Sequence, residues 1–154
     1  MYRIVESTII ERPVAEVFDV AADPHKQLAW DTGMLRSVEK LTQGPLGQGA
    51  RYRGDFKGFG LVEYEFVEYE PGRRFAHRAR MPMGEMRHIF TFEPAPEGTR
   101  MSQEGILTPN LAGRLMWPLM MRRMLSKRFR EISTKIRQHF ATGPRADATP
   151  RRQP

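Results

Sequence analysis

The sequence predicts an α+β fold, a curved antiparallel β-sheet of about seven strands wrapped round one long C-terminal α-helix, with two short helices between strands 1 and 2. Two observations carry this prediction. Residues 110–140 have apolar positions at helical spacing, and the roughly sixty residues before them alternate with a period of two between closely spaced turns. A single helix against a curved sheet leaves a concave apolar space, the kind of place where small molecules bind.

The first strand and the two short helices are predicted near the start of the chain. Residues 2–11 are rich in β-branched side chains, which is typical of a strand. Pro13 is expected at the first position of a short helix, whose inner face at i, i+3, i+4 and i+7 consists of Val14, Val17, Phe18 and Ala21. Asp23 and Pro24 predict the cap and first turn of a second helix, which leads to Trp30.

From residue 34 onward, the glycine and proline turns predict a meander of strands. A turn at 57–59 gives a testable register for the first hairpin. Its inner pairs would be Tyr52 with Tyr64 and Gly54 with Val62, and its outer pairs Arg51 with Glu65 and Arg53 with Glu63. This single alignment produces an apolar inner face and an outer face of opposite charges, which is the agreement expected of a correct register.

The next hairpin, with its loop at 81–84, brings two histidines together. Its inner pairs would be Phe75 with Phe90, His77 with His88, and Ala79 with Met86. The outer pair of Arg78 with Arg87 joins like charges and counts against this register. A last strand over 99–107 would turn Met101, Gln103 and Gly105 inward.

Asn110 predicts the cap of the closing helix. The apolar stripe of that helix comprises Trp117, Met121, Leu125, Phe129, Ile132, Ile136 and Phe140. Because Pro118 lacks a backbone N–H, we expect a kink or a restart near 114–117. Residues 143–154 have no apolar period and predict a disordered basic tail, which limits the ligand-binding domain to 1–142.

Composition narrows the functional classes. With 154 residues and 40% hydrophobic content, the chain is expected to fold as one domain. It contains no cysteine and its first residues lack a signal-peptide pattern, so we predict a cytoplasmic protein. The most apolar run, 115–125, is interrupted by Pro118 and two arginines and is too short to cross a membrane.

Positive charge is concentrated at the C-terminal end. From Arg114 onward there are 11 Lys or Arg against 2 acidic residues, whereas the preceding part has 14 basic and 16 acidic residues. Such a field could attract an anionic membrane or an acidic partner, and the alternative is a solvated helix face. No recognisable nucleic-acid-binding module accompanies the charge, so nucleic acid is not expected as a partner.

Several local patterns, in order, resemble one known family. They are PVAEVF at 13–18, ADP at 22–24 followed by Trp30, GQGARY at 47–52, EYEPGRRF at 68–75 and GTRM at 98–101. Together they resemble the START-like helix-grip superfamily, in particular its polyketide cyclase/dehydrase and lipid-transport branch, over residues 2 to about 140. The resemblance implies a helix-grip fold with a cavity for a hydrophobic small molecule, and it does not imply one reaction.

The candidate ligand-binding residues are the aromatic, polar and methionine side chains expected around that cavity. They are Trp30, Tyr52, Phe56, Tyr64, Phe66, Phe75, His77, His88, Phe90, Gln103, Trp117, Met120, Met121 and Met124. For each of them, ordinary core packing is the competing interpretation. Two histidines without a third ligand do not make a metal site, and no cofactor is expected.

Three functional hypotheses follow. The first is a protein that binds a lipid, a polyketide-like molecule or an aromatic compound. The second is a cofactor-free cyclase or dehydratase, a lyase or isomerase, in which His77 or His88 acts with Tyr64 in proton transfer and enolate stabilisation; the histidines could instead bond each other or the backbone. The third is a membrane-surface or regulatory protein that uses its basic helix, with peripheral contact to anionic lipid. The chain is expected to be a monomer or a homodimer.

Overall fold

The computed structural model describes residues 1–142, except for the side chains of 116–118. The strands are β1 (Tyr2–Ile10), β2 (Leu35–Lys40), β3 (Arg51–Phe56), β4 (Gly60–Glu70), β5 (Arg74–Met81), β6 (Gly84–Ala95) and β7 (Gly98–Pro109). The helices are α1 (Val14–Ala22), α2 (Pro24–Trp30), α3 (Leu111–Met116) and α4 (Arg122–Thr142), with a π-helical turn at Trp117–Met121. This is the predicted helix-grip architecture. The predicted tail at 143–154 lies outside the described residues.

The seven strands form one antiparallel sheet in the order β1-β7-β6-β5-β4-β3-β2. Consecutive strands from β2 to β7 pair with one another, and the last strand, β7, also pairs with the first, β1. Both registers predicted from the sequence are confirmed, including Tyr52 opposite Tyr64 and His77 opposite His88. The inner face of the sheet therefore carries a continuous band of aromatic and histidine side chains.

The like-charge pair on the outer face, Arg78 opposite Arg87, is neutralised by the next strand. Arg78 pairs with Glu65 at 3.0 Å, and Arg87 pairs with Glu68, both on β4. Both acidic partners thus come from a third strand and not from the hairpin itself. The pairing of two arginines is therefore compatible with this register, because β4 supplies a carboxylate for each of them.

The two short helices begin close to where the sequence predicts. Helix α1 starts at Val14, and Pro13 occupies the cap position instead of the first helical position. This placement suits a proline, whose fixed φ is −59° here and whose missing N–H is not needed at a helix start. The side chain of Asp23 accepts a hydrogen bond from the backbone N–H of His25 at 2.9 Å, which caps α2 as predicted.

The closing helix is capped and interrupted as the sequence predicts. The Asn110 side-chain oxygen accepts a hydrogen bond from the Gly113 N–H at 2.9 Å. The π-helical turn at Trp117–Met121 contains Pro118, which cannot donate a helical hydrogen bond. Beyond this turn, α4 lays one apolar face against the sheet, with Leu125, Phe129, Ile132 and Ile136 buried.

Candidate ligand-binding site

A cavity of about 130 Å³ lies between the inner face of the sheet and α4. Its wall is mostly apolar, with a few polar side chains from the strands, from α2 and from α4. The lining residues are Gln27, Trp30, Phe56, Phe59, Val62, Tyr64, His77, Ala79, Met81, Met86, His88, Phe90, Leu125, Arg128, Phe129 and Ile132.

Strand alternation and one glycine set the shape of this cavity. Tyr64, His77 and His88 come from β4, β5 and β6, at positions that face inward because side chains alternate along a strand. Gly105 on β7 faces α4, and a Cβ atom there would lie 2.6 Å from the Phe129 ring. The missing side chain lets Phe129 approach the sheet and stack on His88, with ring centroids 4.3 Å apart.

His88 belongs to a buried hydrogen-bonded network. Its Nε2 lies 3.0 Å from the side-chain oxygen of Gln103, whose nitrogen donates to the Phe129 carbonyl at 3.0 Å and to the Ser133 hydroxyl at 2.9 Å. Because the Gln103 nitrogen faces two acceptors, its oxygen must face a donor, so Nε2 of His88 carries the hydrogen. Burial, with a smaller effect from nearby His77, lowers the pKa of His88 to about 3. His88 is therefore a neutral link between sheet and helix.

Tyr64 and His77 lie side by side on the cavity wall and lack such partners. Their ring centroids are 4.9 Å apart. The Tyr64 Oη and the His77 Nε2 are buried and have no hydrogen-bond partner in the described structure. Burial lowers the pKa of His77 to about 3 and raises the pKa of Tyr64, so both groups are neutral near pH 7. Unpaired buried polar atoms of this kind are groups that a bound molecule could satisfy.

A charged network adjoins the cavity where α2 meets α4. Asp31 is fully buried and accepts two hydrogen bonds from Arg128, at 2.8 and 2.5 Å. Gln27 and Lys135 donate to the same carboxylate at 2.9 and 3.1 Å. Burial alone would raise the pKa of Asp31, but the hydrogen bond and charge of Arg128, with help from Gln27 and Lys135, outweigh it and lower the pKa. Two members of the network, Gln27 and Arg128, line the cavity.

The residues proposed from the sequence as ligand-binding divide into five groups. Six line the cavity: Trp30, Phe56, Tyr64, His77, His88 and Phe90. Four are buried without lining it, since Tyr52, Phe66 and Phe75 pack in the adjacent aromatic core and Gln103 lies behind His88. Met121 is buried against Leu107 and Leu125. The side chain of Trp117 lies outside the described structure.

Met120 and Met124 do not reach the cavity. Their side chains are 64% and 37% exposed. Each lies one residue before a buried position of the helix, Met121 or Leu125, and is therefore rotated about 100° away from the face that meets the sheet. The sequence interpretation treated the methionine-rich segment as one lining surface, whereas Met121 alone is buried among the methionines of this segment whose side chains the structure describes.

Arg128 and Gln27 are the polar lining residues that the sequence interpretation omits. A signal for Arg128 exists, because it lies three residues after Leu125 and four before Ile132, on the apolar face. A charge at such a position needs a buried partner. Asp31, directly after Trp30, is a candidate for that partner, but no local pattern links two residues so far apart in the chain.

Within residues 1–142, no helix is both long and apolar enough to cross a bilayer, and no group of three side chains could hold a metal ion.

The family model described as polyketide cyclase/dehydrase and lipid transport matches residues 1–141. No curated protein matches the sequence.

Solved structures share this fold at low identity. Protein MLL2253 from Mesorhizobium loti is 16% identical, with 94% of this chain and 100% of that one covered at a TM-score of 0.73. Ara h 8.0201 is 12% identical, with coverages of 92% and 99% and a TM-score of 0.76. The di-domain ARO/CYC BexL of the BE-7585A biosynthetic pathway is 20% identical, with coverages of 93% and 51% and a TM-score of 0.72. At these identities, the likeness shows the fold alone.

Proposed function

The chain belongs to the polyketide cyclase/dehydrase and lipid-transport family, and we propose that it binds a hydrophobic small molecule in the cavity between the sheet and α4. One observation carries the proposal, a cavity of about 130 Å³ with a mainly apolar wall inside an otherwise close-packed domain. Concave spaces with a mainly apolar wall and a few polar groups are the usual binding places of small molecules.

The size of the cavity limits the enclosed part of the guest. An apolar protein cavity of about 150 Å³ holds a molecule the size of benzene, and this cavity has a volume of about 130 Å³. A guest that fits without rearrangement therefore has an enclosed part of about one aromatic ring or a short alkyl chain. A larger guest would need the wall to move, for instance at the half-buried Phe56 and Phe59.

The protonation states favour binding over acid–base chemistry. A general base works best when its pKa lies near the operating pH. The pKa of both His77 and His88 is about 3, and Nε2 of His88 is already bonded to Gln103. In the ligand-free protein, these imidazoles are thus weak bases, suited to hydrogen bonding with a neutral guest.

A cyclase or dehydratase activity is the second candidate function. It is favoured by the adjacency of Tyr64 and His77, at 4.9 Å between rings on the cavity wall, and by the likeness to BexL. Once a substrate is identified, His77→Gln should lower kcat at least a hundredfold if His77 transfers the proton. An unchanged kcat would remove His77 from that role and leave binding as the function.

A cavity-filling variant tests the binding proposal directly. Ala79 lines the cavity from β5, so Ala79→Phe should occupy it, while Val5→Phe introduces the same side chain at an exposed position on β1. The wild type and Val5→Phe should bind an anilinonaphthalene sulfonate probe and retain co-purified hydrophobic molecules in native mass spectrometry. Ala79→Phe should neither bind the probe nor retain co-purified molecules. Equal probe binding by all three proteins, or by none, would contradict the proposal.

Peripheral contact with anionic membrane is a further candidate, favoured by the surface of α3 and the following turn. Leu111, Leu115 and Leu119 are 77%, 82% and 70% exposed, and Arg122 and Arg123 are exposed beside them. Exposed apolar side chains next to unopposed positive charge suit an anionic bilayer surface.

Vesicle sedimentation tests this contact. Vesicles that contain phosphatidylserine should sediment the wild type, and phosphatidylcholine vesicles should not. Leu115→Glu should abolish sedimentation, whereas Leu28→Glu, at an exposed leucine of α2, should not. Sedimentation that does not depend on anionic lipid would exclude this surface as a membrane contact.

A further inference from the structure

The network round Asp31 forms a charged wall beside an otherwise neutral cavity. The polar groups on the sheet side, Tyr64, His77 and His88, are uncharged near pH 7. On the helix side, the Asp31 carboxylate faces two cations, Arg128 and Lys135. The cluster therefore carries one excess positive charge next to the cavity.

The Arg128 guanidinium is held in one orientation and keeps unused donors. Both hydrogen bonds to Asp31 use the terminal nitrogens, so Nε and one hydrogen on each terminal nitrogen have no partner in the described structure. The side chain of Arg128 is only 12% exposed. Gln27, which donates to the second Asp31 oxygen, restricts the carboxylate from α2. The result is a preorganised cation at the border of an apolar space.

Stability alone does not explain this arrangement. Moving two charges out of water carries a desolvation penalty that can exceed their attraction, and apolar side chains of similar volume often serve as well. Arg128 occupies a position in the apolar face of α4, between Leu125 and Ile132, where an aliphatic residue would pack against the sheet. The position of this charged pair in the cavity wall points to a role in recognition.

We propose that Arg128 binds a carboxylate on the guest, whose apolar part, of about one aromatic ring, occupies the cavity. Asp31 and Gln27 act as positioning residues that fix the guanidinium, and Lys135 balances the charge of Asp31. Arginine suits this task because its planar fork of donors matches the geometry of a carboxylate. This inference rests on the proposed binding function and adds the chemical class of the ligand, a small aryl-alkyl carboxylate.

Three probes of similar shape test the inference by isothermal titration calorimetry. They are 3-phenylpropanoate, 3-phenylpropanol and propylbenzene, which share a ring and differ in the group at the end of the chain. The wild type should bind the carboxylate at least about tenfold more tightly than propylbenzene, the factor expected for one hydrogen bond to a charged group. The affinity for 3-phenylpropanol should lie between those for the other two probes.

Variants identify the residue responsible. Arg128→Gln should remove the preference for the carboxylate, and Arg128→Lys should restore part of it through its charge. Arg137→Gln makes the same change at an exposed position of α4 and should keep the full preference. Because each variant is judged by the ratio of its own dissociation constants, a general loss of stability does not imitate the result. Should Arg128→Gln fail to fold, the ratio in Arg128→Lys and the loss of carboxylate preference with rising salt in the wild type decide the question.

The outcomes separate this inference from the proposed function. If none of the three probes binds to the wild type, and Ala79→Phe and the wild type behave alike with the fluorescent probe, the binding function itself fails. If propylbenzene binds as tightly as 3-phenylpropanoate, or Arg128→Gln keeps the preference, the cavity binds guests but the carboxylate assignment is overturned.

Discussion

The two ends of the helix–sheet interface are built from the same kinds of side chain and are packed differently. At one end, here called the packed end, Phe18 of α1 packs edge-on against Phe75 and Phe92, with ring centroids 5.8 and 5.3 Å away. At the other, the cavity end, Tyr64 and His77 line the cavity of about 130 Å³ between the sheet and α4. The aromatic band of the sheet runs through both ends.

The difference lies in the element that covers the sheet. Helix α1 supplies Val17 and Phe18, both almost fully buried, to the packed end. It supplies no lining residue to the cavity end, where coverage comes from α4, Trp30 and Gln27. The two ends also differ in the hydrogen bonding of their polar groups. The Thr99 hydroxyl at the packed end donates to the Arg12 carbonyl at 2.7 Å, whereas Tyr64 Oη at the cavity end has no partner in the described structure. A void thus arises where the secondary structure leaves part of a curved sheet uncovered.

Truncating an aromatic residue at each end should expose this difference most strongly. Phe18→Ala should lower the free energy of unfolding by about 3–5 kcal/mol, because it removes a fully packed ring and leaves a cavity. Phe59→Ala, at the half-buried edge of the cavity, should lower it by about 1 kcal/mol. Urea denaturation measures both values. Equal losses would show that the two ends are packed alike.

Breaking the ion pair beside the cavity should have the next largest effect. Asp31→Asn leaves Arg128 and Lys135 without their buried countercharge and should lower the free energy of unfolding by about 3 kcal/mol. The pKa of Asp31 is lowered on folding, so the stability it provides is present above its ordinary value of 3.8 and is lost as pH falls below it. The stability of the wild type and of Asp31→Asn, measured by urea denaturation, should therefore converge in acid. A constant difference down to the acid limit would contradict this assignment.

Two histidines should make the cavity end sensitive to mild acid. Their pKa is about 3 in the folded protein against an ordinary 6.5, so below pH 6.5 the unfolded state binds more protons. Their contribution to the free energy of unfolding is complete above pH 6.5 and declines towards pH 3. The slope is about 1.4 kcal/mol per pH unit for each buried imidazole.

Denaturation curves at several pH values between these limits measure that slope. His77→Gln should remove about half of it, because one of the two buried imidazoles is then absent. An identical slope in the wild type and in His77→Gln would mean that His77 is not held neutral by the fold.

Removing one hydroxyl from each end should give the smallest effects, and of opposite sign. Thr99→Val leaves the Arg12 carbonyl without its donor and should cost about 1 kcal/mol of stability. Tyr64→Phe removes an unpaired hydroxyl and should be neutral or stabilising by up to about 1 kcal/mol in the ligand-free protein. Thermal unfolding compares the two. A clear loss of stability in Tyr64→Phe would indicate that its hydroxyl has a partner.

Local patterns were sufficient for the elements and the strand registers. The alternation on either side of 57–59 and of 81–84 placed Tyr52 opposite Tyr64 and His77 opposite His88, as observed. Prediction succeeded here because strand pairing and helix capping depend on residues that are close in the chain. The place of Gln103 was also foreseen as inward, although its bonds to Phe129 and Ser133 were not.

The candidate site could be predicted only in part. The sheet side of the cavity follows from alternation, which is why Tyr64, His77 and His88 were identified beforehand. The helix side depends on how the π-helical turn and α4 are rotated about the helix axis, and that rotation exposes Met120 in the turn and Met124 in α4. A prediction from sequence that ignores the rotation cannot separate a lining methionine from an exposed one.

By itself, the sequence determined the order of the elements, the inner face of each strand and the presence of a long amphipathic helix, because each follows from spacing within one or two neighbouring segments. Only the tertiary structure decided that α1 fills one end of the interface, that a cavity remains at the other, and that Asp31 meets Arg128 beside it. These features depend on contacts between segments about a hundred residues apart, which no local period encodes.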